Sequence, residues 1–103
     1  VSEVSHVACN LLTLTASIVE LEAMRYTPAG LPALSMKLEH ESEVQEAGQT
    51  RQVKAALKAV AFSAIAERLA KQAPGSIWKF SGFLATPRNG KHVVFHIQEF
   101  LQD

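Results

Sequence analysis

A single cysteine, Cys9, stands among 103 residues, so no internal disulfide can brace the fold. The first residues lack the basic start and apolar run of a secretory leader, and with one lone thiol they point to a reducing, cytoplasmic setting. Long apolar runs are missing too: Thr, Ser, Glu, Lys or Gln interrupts every stretch before the about 18 residues that a membrane helix requires. A soluble protein with no membrane partner is expected. Excess charge is also absent, since ten basic residues meet ten acidic ones. Taken alone, that balance weakens a nucleic-acid reading.

What is present is an ordinary globular mixture, 48% hydrophobic and 19% charged, which argues against disorder and against fibrous classes. A chain of this length holds one domain around one core. Residues 10–103 read as that domain and residues 1–9 as an N-terminal tail or strand extension. The charges are unevenly spread. Residues 1–50 carry Arg25 and Lys37 against seven glutamates, a net of −5, whereas residues 51–91 carry eight cations against Glu67, a net of +7. A neutral chain divided in this way can still present a basic face, although two solvated surfaces of opposite sign would give the same totals.

Hydrophobic periodicity supplies the elements. From Asn10 to Glu22, Leu12, Leu14, Ala16 and Ile18 alternate with Thr13, Thr15, Ser17 and Val19, the period of a strand with one buried face. Thr27-Pro28-Ala29-Gly30 sets a fixed φ before a residue that tolerates a positive one, so AMRYTPAGL reads as a loop. Leu34, Met36, Leu38 and His40 alternate with Ala33, Ser35, Lys37 and Glu39 in a second strand, and EHESEVQEAGQ follows as an acidic loop broken at Gly48. The segment TRQVKAALKAVAFSAIAERLAKQA is helical by propensity, yet Val53, Ala55, Leu57 and Ala59 also alternate with Lys54, Ala56, Lys58 and Val60. Strand and helix both stay open there. Pro74-Gly75 closes the helical signal. Ile77 to Leu84 alternates again, Asn89-Gly90 is a short-range hairpin signal, and Val93, Phe95 and Ile97 against Val94, His96 and Gln98 form the last strand. Trp78 and Phe80 share a face with Gly82 and Leu84 and read as core, while Phe83 is left undecided.

Constellations that carry chemistry are few. His92 and His96, four apart on a strand, would lie roughly 13 Å from each other at strand rise, too far to share an ion. No metal and no cofactor is expected. His40-Glu41-Ser42 holds the residue types of a hydrolase triad, but neighbouring strand residues point to opposite faces and no nucleophile elbow surrounds the serine. With no phosphate-binding loop and no dinucleotide fingerprint, no catalytic residue is expected, and the chain reads as a binding protein, not an enzyme.

Five short strands with one helix between the third and fourth is the layout of an OB-fold. This is an all-β class with one short helix, a five-stranded Greek-key barrel that binds oligonucleotides on strands 2 and 3 and on the loops joining strands 1 to 2 and 4 to 5. The runs RYTPAGLPALSMKLEHES, EAGQTRQV, GSIWKFSGFLA and NGKHVVFHIQEF, in that order and spacing, resemble the primosomal replication protein N (PriB) family, related to bacterial single-stranded DNA-binding proteins. The resemblance covers nearly all of the chain after Asn10. It implies a homodimer that binds single-stranded DNA as an accessory protein of the replication-restart primosome, bridging the restart helicase and the next loading protein. It also implies a strand near residues 51–61 and a helix near residues 62–71. The family pattern places aromatic side chains just after EAG and a few residues on, where bases can stack; Gln49 and, near the second place, Lys54 stand there instead. Stacking contributes roughly 1–3 kcal/mol per base, so a weaker, more electrostatic DNA contact is expected.

On that layout Lys37, Arg51, Lys54 and Lys58 fall on or beside the binding strands, and Arg25, Arg88 and Lys91 fall in the flanking loops. Cations in these places can neutralise phosphates and release counterions. Tyr26, in a turn beside Arg25, is the candidate for stacking. Two competing readings stand beside this one. The first is an OB-fold protein-interaction module with little DNA binding, favoured by the zero net charge and the missing aromatics. The second is a helical dimerisation protein built on residues 43–73. The acids of LEHESEVQEAG would repel DNA, and a protein-facing role suits them better.

Overall fold

Alternation becomes strand wherever it occurs, including the segment whose propensity favours helix. The computed structural model describes residues 8–102, so the tail expected at residues 1–9 lies, up to Val7, outside the described residues. Along the chain run β1 (Leu12–Leu21), β2 (Arg25–Tyr26), β3 (Pro32–Glu46), β4 (Gln49–Phe62), α1 (Ala64–Leu69), β5 (Ile77–Ala85) and β6 (Val94–Leu101). β1 pairs antiparallel with β5 through Leu12–Ser17 and with β3 through Ser17–Leu21. β3 pairs with β4, β4 runs parallel to β6 at Ala59↔Phe95 and Val60↔His96, and β6 pairs with β5. The circuit β1-β5-β6-β4-β3-β1 closes a five-stranded barrel, and β2 is a two-residue addition to its rim. This is the OB-fold, with one helix, α1, between the third and fourth barrel strands. No helix among the described residues is long and apolar enough to cross a membrane.

The barrel interior takes every second residue. Ile18 of β1, Leu34 and Leu38 of β3, Phe80 of β5 and Phe95 of β6 are fully buried, and Ala66 and Leu69 of α1 are buried with them in one cluster. Each such large side chain contributes roughly 1.5–3 kcal/mol by leaving water. Among the described residues no polar or charged side chain is buried, so the core holds the barrel and the outer face is left for chemistry. Gly82 is fixed by sterics. A Cβ there would collide with the His96 carbonyl oxygen, where the β5–β6 register shifts between Ser81 and Gly82. Only glycine permits that approach.

Six expectations need correction. The acidic loop EHESEVQEAGQ is strand: β3 continues to Glu46 and turns at Ala47 (φ 53°) and Gly48 (φ 78°) straight into β4. Two successive positive φ values give the hairpin turn whose twist matches long strands. The loop AMRYTPAGL contains β2, because the Thr27–Gly30 turn folds Arg25 and Tyr26 back onto Ala33 and Pro32. Asn89-Gly90 is not a two-residue hairpin turn, since β5 and β6 separate at Ala85↔Val94 and residues 86–93 form a longer loop. Within that loop the Gly90 N–H donates to Pro87 O at 2.9 Å, which puts Arg88 and Asn89 at the turn centre. His92 lies in this loop and not on a strand, so the reading of His92 and His96 as a strand pair also fails. The helix implied at residues 62–71 is shorter, because Phe62 stays paired with Ala33 and Ser63 reverses the chain at φ 64°. A helix of six residues also removes the helical dimerisation protein on residues 43–73, whose first half is β3 and β4.

β3 and β4 outrun the barrel. Beyond the Ser17↔Glu39 pairing, residues 40–46 and 49–55 project as a two-stranded ribbon, roughly 24 Å long at strand rise. Its base is fastened to β1 by His40, whose Nδ1 lies 2.7 Å from Thr15 O and whose Nε2 lies 2.8 Å from Ser42 Oγ. A carbonyl can only accept, so Nδ1–H donates to it, while Nε2 hydrogen-bonds the Ser42 hydroxyl. The histidine is a tether, and Glu41 points to the other ribbon face beside Lys54.

Candidate nucleic-acid interface

On the outer face of the barrel, residues that alternate with the core meet across four strands. Ser35 and Lys37 of β3, Lys58, Val60 and Phe62 of β4, His96 of β6 and Phe83 of β5 project there, opposite the buried set. Of these, Ser35, Lys58, Val60, Phe62 and His96 open onto a groove of about 560 Å³. Arg25, Ser35 and Glu22 line one side, Thr86, Pro87 and Val94 the other, and Lys58, Val60, Phe62 and His96 complete it. The two bounding segments are the connections between barrel strands one and two and between four and five. An apolar floor with cations on its rim suits a ligand that is flat and apolar on one side and anionic on the other.

The expected residues divide into three groups. Arg25 and Lys58 line the groove, and Arg25 is held in place by an Nη2–H donated to Ser35 Oγ at 3.0 Å. Lys37 sits directly across from Lys58 in the β3–β4 register, with Glu20 opposite it on the β1 side. Two lysines facing each other on neighbouring strands cost stability unless an anion lies between them. Arg88 and Lys91 belong to the exposed 86–93 loop whose first residues form the groove wall. Arg51 and Lys54 stand apart, on the ribbon. Arg51 Nη1 contacts Glu46 Oε1 at 2.6 Å and Lys54 Nζ contacts Glu41 Oε2 at 3.6 Å, all four side chains more than half exposed. Such exposed pairs contribute at most about 1 kcal/mol each, so a polyanion can compete for them. Tyr26 is 68% exposed on β2, beside the groove rather than lining it.

Sequence reading missed the rings. Phe83 and His96 stack at 4.7 Å between centroids and 15° between planes, and Phe62 stacks on the other side of His96 at 5.9 Å and 28°. Burial by these neighbours holds the His96 imidazole below its ordinary pKa of 6.5. A neutral ring between two phenyl rings extends the apolar floor. Alternation alone puts Phe62 with Lys58 and His96 with Val94, but only the parallel β4–β6 contact brings the two sets together.

Comparison with known proteins decides the family. A family model described as another single-strand binding protein family matches residues 10–99. The replication restart protein PriB of Bordetella pertussis is 46% identical over 91 residues, covering 87% of this chain and 85% of its own. The chain belongs to the PriB family. The PriB of Nitrosomonas europaea is 34% identical over 91 residues, with 87% and 84% of the two chains covered. The solved structure of PriB from Ralstonia solanacearum superposes with a TM-score of 0.85 at 40% identity, over 92% of this chain and 98% of that one. The single-stranded DNA binding protein of Thermus aquaticus shares the fold, with a TM-score of 0.72 at 22% identity over 90% of this chain and 49% of its own. Like those PriB proteins, this chain carries the OB-fold.

Proposed function

We propose that this PriB-family chain binds single-stranded DNA in the groove between β2 and the 86–93 loop and has no catalytic role. Phosphates run along Arg25, Lys37, Lys58, Arg88 and Lys91, and bases lie over Val60 and the Phe62–His96 end. The observation that carries the reading is the juxtaposition of Lys37 and Lys58 beside a groove lined by Arg25, an arrangement that an anion stabilises. Arg51 and Lys54 join the contact where DNA displaces Glu46 and Glu41, and Tyr26 covers the outer rim. Base identity matters little, because phosphate contact carries no sequence information.

In the cytoplasm the protein works as a homodimer that bridges the restart helicase and the next loading protein. β1 suits dimerisation: through Leu12–Leu14, short of the Thr15 carbonyl that His40 engages, its strand pairing is to β5, and β3 joins only from Ser17, so its other edge there is placed to extend a sheet into a second copy. Light scattering at micromolar concentration gives twice the chain mass on this account, and a monomer refutes it. The alternative, a protein-interaction module with little DNA binding, is favoured by the ribbon, whose cations are already paired with acids. The double variant Arg88→Glu/Lys91→Glu separates the two. Fluorescence anisotropy with oligothymidylate at low salt is expected to show at least a tenfold loss of affinity, with circular dichroism unchanged. Equal affinity for both proteins places DNA elsewhere or removes it from the function.

A further inference from the structure

Three cations of the basic half remain outside both the groove and the ribbon: Arg68, Lys71 and Lys79. Among the described residues none of them forms an ion pair, unlike Arg51 and Lys54. Arg68 and Lys71 meet at a second concavity of about 390 Å³, between α1 and the ends of β5 and β6, lined also by Gln72, Trp78, Phe100, Leu101 and Gln102. The arginine guanidinium carbon lies 4.8 Å over the Phe100 ring, and Trp78 meets Phe100 edge-on at 5.1 Å and 86°. Leu101 is 54% exposed and Ile77, next to Trp78, is 62% exposed. Trp78 and Ala85 bound opposite ends of β5, so this pocket is roughly 23 Å along the strand from the groove.

We propose that this pocket docks an acidic segment of a partner protein, with carboxylates on Arg68 and Lys71 and an aliphatic side chain against Trp78 and Leu101. Charge complementarity selects the occupant: two cations that form no ion pair among the described residues border an apolar, partly exposed aromatic surface, the composition that holds an acidic peptide with an apolar anchor. Among the described residues, Glu67 on α1 and Glu99 on β6 are the acids of the adjoining elements, and neither lines the pocket. A nucleic-acid strand fits less well. Arg68 already covers the Phe100 ring face, and the rings meet edge to face instead of forming a row on which bases stack.

Trp78 is the only tryptophan of the chain, so its emission reports on this pocket directly. The full chain is titrated, at low and high salt, with a synthetic peptide of four glutamates and two leucines and with its lysine counterpart. The acidic peptide is expected to change the emission saturably, with affinity that falls as salt rises, while the lysine peptide gives no saturable change. Lys71→Glu weakens binding at least tenfold; Arg68→Gln, which could loosen Phe100, is read only with circular dichroism matching the parent. Oligothymidylate leaves the bound peptide in place. No saturable change, equal affinity for Lys71→Glu, equal binding of the lysine peptide, or displacement by oligothymidylate each overturns the proposal, the last by assigning the pocket to DNA. The result stands apart from the groove, since peptide binding is read whether or not DNA binds.

Discussion

Replacing Lys58 with alanine should move stability and DNA binding in opposite directions. Lys58 and Lys37 are both exposed and face each other directly in the β3–β4 register. Like charges in that position are destabilising by roughly 0.2–1 kcal/mol. Alanine and lysine are both poor strand formers, and little apolar surface is buried at an exposed site, so removing the repulsion, which Glu20 opposite Lys37 on β1 offsets only in part, dominates. Lys58→Ala is therefore expected to gain a few tenths of a kcal/mol up to about 1 kcal/mol at low salt, which is roughly 2–6 °C in melting temperature for a domain of this size. The gain shrinks in high salt, where the repulsion is screened. DNA affinity falls, because one phosphate contact is lost, and the slope of log affinity against log salt becomes shallower by about 0.7. Thermal melts at two salt concentrations and anisotropy titrations with oligothymidylate read both quantities on one preparation. A variant that is less stable at low salt refutes the repulsion; one with unchanged affinity and slope refutes the groove.

Two further outcomes follow from the β5–β6 region. Gly82→Ala forces a Cβ against the His96 carbonyl, which only backbone movement can relieve, so urea unfolding should show a loss at or above the top of the roughly 1–3 kcal/mol range for overpacked cores. A loss under about 0.5 kcal/mol would contradict the close approach. His96 is neutral in the fold because burial lowers its pKa below 6.5. The unfolded chain then takes up the proton first, so the contribution of His96 is present above pH 6.5 and is lost as pH falls through the window between 6.5 and the lowered folded value. Stability measured against pH should fall less over that window for His96→Gln than for the parent, and parallel curves would remove His96 as the cause.

The barrel was legible because its chemistry is local. Leu34, Met36 and Leu38, or Phe95 and Ile97, announce a buried strand face by spacing alone, and the structure buries those side chains. β4 was ambiguous for a physical reason: alanine, leucine and lysine favour helix when isolated, and only the ladder to β3, from Ala33↔Phe62 to Glu46↔Gln49, turns the same residues into strand. The ribbon was hidden by its charge. Glutamates spaced two apart read as a solvated loop until the partner strand brings Lys54 opposite Glu41. Of the candidate site, the cations were legible and their grouping was not. Arg25, Lys37 and Lys58 come together through the β2–β3–β4 registers, whereas Arg51 and Lys54, equally basic in sequence, are carried away from the barrel. The Phe62–His96–Phe83 stack depends on a parallel pairing between strands more than thirty residues apart, which no local pattern records.

The salt dependence of oligothymidylate binding to the unmodified protein tests the central claim most directly. With four or five of Arg25, Lys37, Lys58, Arg88 and Lys91 on phosphates, log affinity should fall against log salt with a slope of roughly −3 to −3.5 per protomer. Binding that is absent at low salt, or that does not change with salt, would contradict the account.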